Sequence, residues 1–119
     1  MNRIALFGAA LVTALALAAP IGAASSVTKL TGTVGPGFTI TLKKGTAKVK
    51  TLKAGSYKIT VNDKSNIHDF HLTGPGVNKM ITTTPFKGTK TVTVKLKKGT
   101  YRYICDPHAS VMKGSFKVT

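Results

Sequence analysis

The chain has 119 residues, a formal net charge of +15 from 18 Lys and Arg against three Asp and Glu, and one cysteine. That length suits one domain rather than two, and a lone cysteine excludes an internal disulfide as the tether of a modest core. With no Glu, and only Asp63, Asp69 and Asp106 as acidic side chains, the chain carries little equipment for enzyme catalysis.

In chain order, residues 1–24 read as a secretory signal peptide. Met1-Asn2-Arg3 gives a charged start, Ile4 to Ala19 an apolar run, Pro20 a stop, and Gly22-Ala23-Ala24 the small residues of a cleavage site. The apolar run is short for a membrane span. The expected localisation is therefore extracytoplasmic: periplasmic, cell-wall associated or secreted. Cleavage after Ala24 leaves residues 25–119 as the domain, with 17 Lys and Arg against three Asp, a charge of +14. Such a field attracts acidic proteins, anionic lipid headgroups and wall polymers; an exported protein is not expected to bind nucleic acid.

From there the pattern is strand and turn, with no helix of any length. Strand candidates are Val27 to Val34, Phe38 to Leu42, Ala47 to Lys50, Tyr57 to Val61, His68 to Thr73 and Thr91 to Leu96. Tyr57-Lys58-Ile59-Thr60-Val61 and Thr91 to Leu96 alternate apolar and polar residues, the period of a half-buried strand. Tyr101, Tyr103 and Cys105 share one parity, so the thiol faces the same side as two aromatic rings, and Phe116 and Val118 repeat the alternation. Gly35-Pro36-Gly37 and Gly74-Pro75-Gly76 break the chain. Leu42-Lys43-Lys44-Gly45-Thr46 recurs as Leu96-Lys97-Lys98-Gly99-Thr100, and more loosely as Leu52-Lys53-Ala54-Gly55-Ser56; these are similar turns, not a solenoid repeat. Ser65-Asn66 and Asn78 to Thr84 read as loops. Short strands at regular spacing predict an all-β, antiparallel sandwich or barrel.

One segment carries the chemistry. Tyr103-Ile104-Cys105-Asp106-Pro107-His108 ends a strand, and Met112 follows before Lys113-Gly114 leads into the last strand. A thiol, an imidazole and a thioether thus fall within eight residues. An extended chain at ~3.3 Å per residue would keep Cys105 and Met112 more than ~20 Å apart, so the loop must fold back if both serve one ion. Cys with two His and a weak axial Met is the soft donor set of a blue-copper site, whereas structural zinc wants more than one Cys. The second imidazole is His68 or His71. Three positions apart on a strand, they face opposite sides, and spacing alone leaves both open.

The segments Ser65-Asn66-Ile67-His68-Asp69-Phe70-His71-Leu72 and Gly99 to His108 through Met112-Lys113-Gly114 resemble the cupredoxins, the blue copper proteins, in particular the plastocyanin and amicyanin branch. The resemblance runs from about Phe38 onward. It implies a Greek-key β-sandwich and one copper ion, cycling between Cu(I) and Cu(II), held by His68, Cys105, His108 and Met112. In that family the first ligand His is followed by Asn, and Cys-x-Pro-His opens the loop. His68-Asp69 occupies the first position, so the resemblance selects His68, and Cys105-Asp106-Pro107-His108 matches the second. Asp69 replaces an Asn whose hydrogen bonds tie the His strand to the Cys loop. A carboxylate there should favour Cu(II) and lower the potential. Three residues separate His108 from Met112, intermediate between amicyanin-like and plastocyanin-like loops.

The resemblance also implies a monomeric one-electron carrier with no catalytic residues, whose electron leaves through His108. Phe86, Pro75 and Pro107 are expected as an apolar docking rim, with Lys79, Lys87 and Lys113 steering an acidic redox partner. Copper storage or delivery through the same ligands, and a structural β-domain adhering to anionic envelope surfaces, are the alternatives.

Overall fold

The computed structural model describes residues 26–119, with Ala10, Thr13 and Ala14 ahead of them, so the expected signal peptide lies almost wholly outside the described residues. Among the described residues, ten strands form two five-stranded sheets packed face to face. The first sheet holds β1 (Thr28–Val34), β2 (Ile40–Lys44), β3 (Ala47–Lys48), β5 (Gly55–Asp63) and β8 (Gly88–Leu96), in the order β3-β2-β1-β5-β8. The second holds β4 (Thr51–Leu52), β6 (Phe70–Gly74), β7 (Val77–Thr82), β9 (Gly99–Ile104) and β10 (Lys113–Val118), in the order β4-β10-β9-β6-β7. Among the described residues the only helical piece is a 3₁₀ turn at Asp106–His108.

The alternating segments form the strands expected of them. In β5, Tyr57, Ile59 and Val61 are buried while Lys58 is exposed; in β9, Tyr101 and Tyr103 are buried and Arg102 is not. Their inward faces meet Leu30, Leu42, Phe70, Leu72 and Phe116 in one core between the sheets. Inside it, Phe70 stacks on Tyr103 at 5.6 Å and Phe116 on Tyr101 at 5.3 Å. Two glycines make room for these rings: a Cβ at Gly74 would run into Tyr101, and one at Gly114 into Tyr103.

The sheets depart from the antiparallel expectation in two places. β1 runs parallel to β5, and β4 parallel to β10. Parallel neighbours need a crossover rather than a hairpin, and the chain between β1 and β5 supplies one by visiting the other sheet at β4. Three local expectations are also corrected. Asn78 to Thr84 is no loop: Val77–Thr82 is an edge strand, whose exposed Asn78, Lys79 and Met80 hide the alternation. Ala47 to Lys50 is a strand for only two residues, since the chain leaves one sheet for the other there. The His68 strand begins at Phe70, leaving His68 and Asp69 on its approach.

Register gives the sandwich two distinct ends. Val34 pairs with Ile40 and Asp63, and the Lys64 N–H donates to the Val34 carbonyl, so Gly35, Asp63 and Ser65 share one end. The loops after β9 and before β6 open at that end as well. All three Lys-Gly turns lie at the other end, since Gly55 pairs with Leu96 and the Ala54 N–H donates to the carbonyl of Thr119.

Candidate metal centre

Cys105 follows β9 in extended conformation, φ −96° and ψ 114°, and Pro107 fits the 3₁₀ turn that follows because its fixed φ suits a first helical turn. The loop then folds back on itself through backbone bonds. His108 N–H donates to the Cys105 carbonyl at 3.0 Å, Met112 N–H to the His108 carbonyl at 2.8 Å, and Cys105 N–H to the Met112 carbonyl at 3.0 Å. Cys105 and Met112 thus become neighbours, as shared use of both requires. Both are fully buried, and His108 is half-buried.

His68 reaches the same place from the approach to β6. Its fully buried ring lies beside Gly35, where an added Cβ would come 3.1 Å from the ring at a φ of +74° that disfavours side chains. The Nδ1 atoms of His68 and His108 are 3.1 Å apart, and Cys105 Sγ lies 3.7 Å from the first and 3.6 Å from the second. The point equidistant from three atoms so spaced is about 2 Å from each, close to the ~2.0–2.3 Å of metal–imidazole and metal–thiolate bonds. Two imidazole nitrogens at 3.1 Å repel through their lone pairs unless a proton or a cation sits between them. These residues fit a soft cation, and two imidazoles with one thiolate beside a buried thioether suit copper.

The surroundings hold the donors in place. Asp69 N–H points at the Cys105 sulfur at 3.4 Å, and the Asp69 carboxylate accepts the Asp106 N–H at 2.7 Å. The tie between the His68 approach and the cysteine loop is therefore made by a carboxylate where the family has an amide. Burial pushes the Asp69 carboxyl above the ordinary carboxylate range, against the lowering effect of that Asp106 bond. Burial likewise pushes the Cys105 thiol up, so the sulfur keeps its proton until a cation displaces it.

His71 lies outside the donor cluster, and the structure shows what it does instead. Its Nδ1 faces the Asp106 carboxylate at 3.0 Å and its Nε2 faces Asn78 Oδ1 at 2.6 Å. Two acceptors on one ring favour the doubly protonated imidazolium, which bridges β6, β7 and the ligand loop. Burial lowers its pKa, but the Asn78 and Asp106 hydrogen bonds and the nearby carboxylates outweigh this and raise it overall.

Phe38 went unrecognised in the sequence as a neighbour of the site. It reads there as the start of a strand; in the structure it precedes β2 and sets its ring edge-on to both imidazoles, 5.4 Å from His68 and 4.9 Å from His108. No periodicity or motif marks it, because a loop conformation brings it there. The expected docking rim needs a matching correction. Pro75 lies at the opposite end, against Gly99 and under the Tyr101 hydroxyl, because it turns the β6–β7 hairpin. Phe86 packs near Gly88, with Lys90 Nζ 4.6 Å above its ring, and Gly88 pairs with Asp63 at the donor end.

Residues 33–119, well over half of the chain, match the family of copper binding proteins described as the plastocyanin/azurin family. Among solved structures, a methionine-to-glutamine mutant of rusticyanin is 23% identical over 79% of this chain and 80% of that one, with a TM-score of 0.54. Auracyanin A, a "blue" copper protein from the green thermophilic photosynthetic bacterium Chloroflexus aurantiacus, is 19% identical over 79% of this chain and 100% of that one, at a TM-score of 0.54. Identities this low establish a shared fold. No curated protein matches the chain.

Proposed function

Because the chain belongs to the plastocyanin/azurin family of copper binding proteins, we propose that it carries single electrons between redox partners, with His68, Cys105, His108 and Met112 as the ligands of one copper ion. The observation that carries this reading is the triangle of two Nδ1 atoms and one Sγ with edges of 3.1 to 3.7 Å, beside a fully buried Met112. Bound copper supplies the one-electron couple. The chain's own residues keep the donors fixed: the loop is braced by its backbone, His68 is wedged at Gly35, and the Asp69 N–H holds the sulfur. Donors that cannot rearrange give both oxidation states nearly the same surroundings, which suits rapid electron exchange. Four protein donors leave no open position for a substrate, which favours a carrier over an enzyme, and their burial favours retention over delivery.

His108 is the exit in this reading. It is the half-buried member of the set, with exposed Phe38 set edge-on to its ring and exposed Ile67 and Val111 on the same two ligand loops. These apolar side chains exclude water at a docking face, while Lys87 and Lys113 attract an acidic partner. Residues 1–24 act as an export signal and 25–119 as the working domain; the family match, at 33–119, falls inside the latter.

Titration of the purified protein with Cu(II), followed in the visible range, tests the site. An intense thiolate-to-copper band is expected, lost in Cys105→Ser and in His68→Ala but kept in His71→Ala. A colourless product, or a band that survives His68→Ala, refutes the ligand set. For the carrier role, the electron-transfer rate with an acidic partner should fall as ionic strength rises.

A further inference from the structure

The carboxylates gather at one end of the sandwich and the lysine-rich turns at the other. Asp63, Asp69 and Asp106, the chain's only acidic side chains, all lie in or beside the donor end. The three Lys-Gly turns deliver Lys43, Lys44, Lys53, Lys97 and Lys98 to the other end, all exposed. Among the described residues the one ion pair is His71 with Asp106, so none of these lysines has an acidic side-chain partner.

Toward the same end, lysines face lysines across strands. Lys29 is the register partner of Lys58, and Lys43 that of Lys48. Like charges directly opposed in a sheet are destabilising, and a solvated face needs no such arrangement. An external negative surface relieves the repulsion. Lys44 and Lys53 also line one cleft with the hydroxyl side chains of Thr51 and Ser56.

We propose that this pole docks on the surface of an anionic phospholipid bilayer, leaving the opposite end, with His68, Cys105 and His108, turned outward to soluble partners. The inference stands on the placement of charge and holds whether or not copper binds. Polybasic clusters gain about 1 kcal/mol per Lys at an anionic leaflet, and the attraction weakens with salt.

The test is co-sedimentation of the purified protein with phosphatidylcholine vesicles that contain or lack phosphatidylglycerol. Its variants are a pole triple, Lys44→Gln, Lys53→Gln and Lys98→Gln, and a donor-end triple, Lys64→Gln, Lys87→Gln and Lys113→Gln. All three proteins share one N-terminus, so their differences report only the substitutions. Wild type and the donor-end triple should bind the anionic vesicles with salt-sensitive affinity, and the pole triple about 100-fold more weakly. An amine-reactive label on vesicle-bound wild type should spare Lys44, Lys53 and Lys98 while modifying Lys64 and Lys87. Equal weakening by both triples, no preference for anionic vesicles, or binding only to a soluble polyanion such as heparin would overturn the proposal.

Discussion

The two ends of the sandwich solve the same problem, burying polar groups where strands turn, in opposite ways. At the lysine end the Tyr101 hydroxyl accepts from Lys97 N–H at 2.8 Å and lies 3.0 Å from the Pro75 carbonyl and 3.1 Å from that of Lys97, so it is fully partnered. At the donor end the buried Nδ1 of His68, the Cys105 sulfur and Nδ1 of His108 face one another at 3.1 to 3.7 Å. One end is finished by the chain alone; the other gathers donors that a cation can share.

Copper should tie the donor end together, and this is the largest effect expected. At a copper concentration ~1,000 times the dissociation constant, loading should stabilise the fold by about 4 kcal/mol. Thermal denaturation of metal-free and loaded protein checks it, and an unchanged midpoint would mean that the cluster is not a high-affinity site. Gly114→Ala comes next, since the new methyl must displace the Tyr103 ring; a loss of about 1–3 kcal/mol is expected in denaturant melts. Tyr101→Phe should cost about 1–2 kcal/mol at the finished end and leave the visible spectrum of the loaded protein untouched. A spectral change there would show that the two ends are coupled.

The smallest effect is pH-dependent. His71 has a raised pKa in the folded chain, so its contribution is fully present below its unfolded value near 6.5 and is lost as the pH rises through the raised one. His71→Ala should therefore be less stable than wild type in mildly acidic buffer and equal to it at higher pH. Equal melting curves at every pH would remove His71 as the brace of the ligand loop.

Much of this contrast is legible in the sequence, and what is hidden has a physical reason. Period-two alternation marks β5, β8 and β9 because each has one face in the core, and Cys105-Asp106-Pro107-His108 marks the loop because its chemistry is local. β7 stays hidden because an edge strand with Asn78, Lys79 and Met80 outward has no alternation to show. The parallel pairings of β1 and β4 depend on crossovers that no local pattern records. Phe38 could not be placed beside His68 and His108, nor Pro75 assigned to the far end, because loop paths decide both. His68 and His71 are separable only by their partners: one turns into the donor cluster, the other to Asp106 and Asn78.

The folded-back loop between Cys105 and Met112 is closed by main-chain bonds and braced from outside through Asp106, so the side chains of Ala109 and Ser110 are not needed to hold its shape. It behaves as a cassette. Evolution or an engineer can retune the centre by varying Ala109, Ser110 and Val111, provided Asp106 keeps its ties to Asp69 and His71.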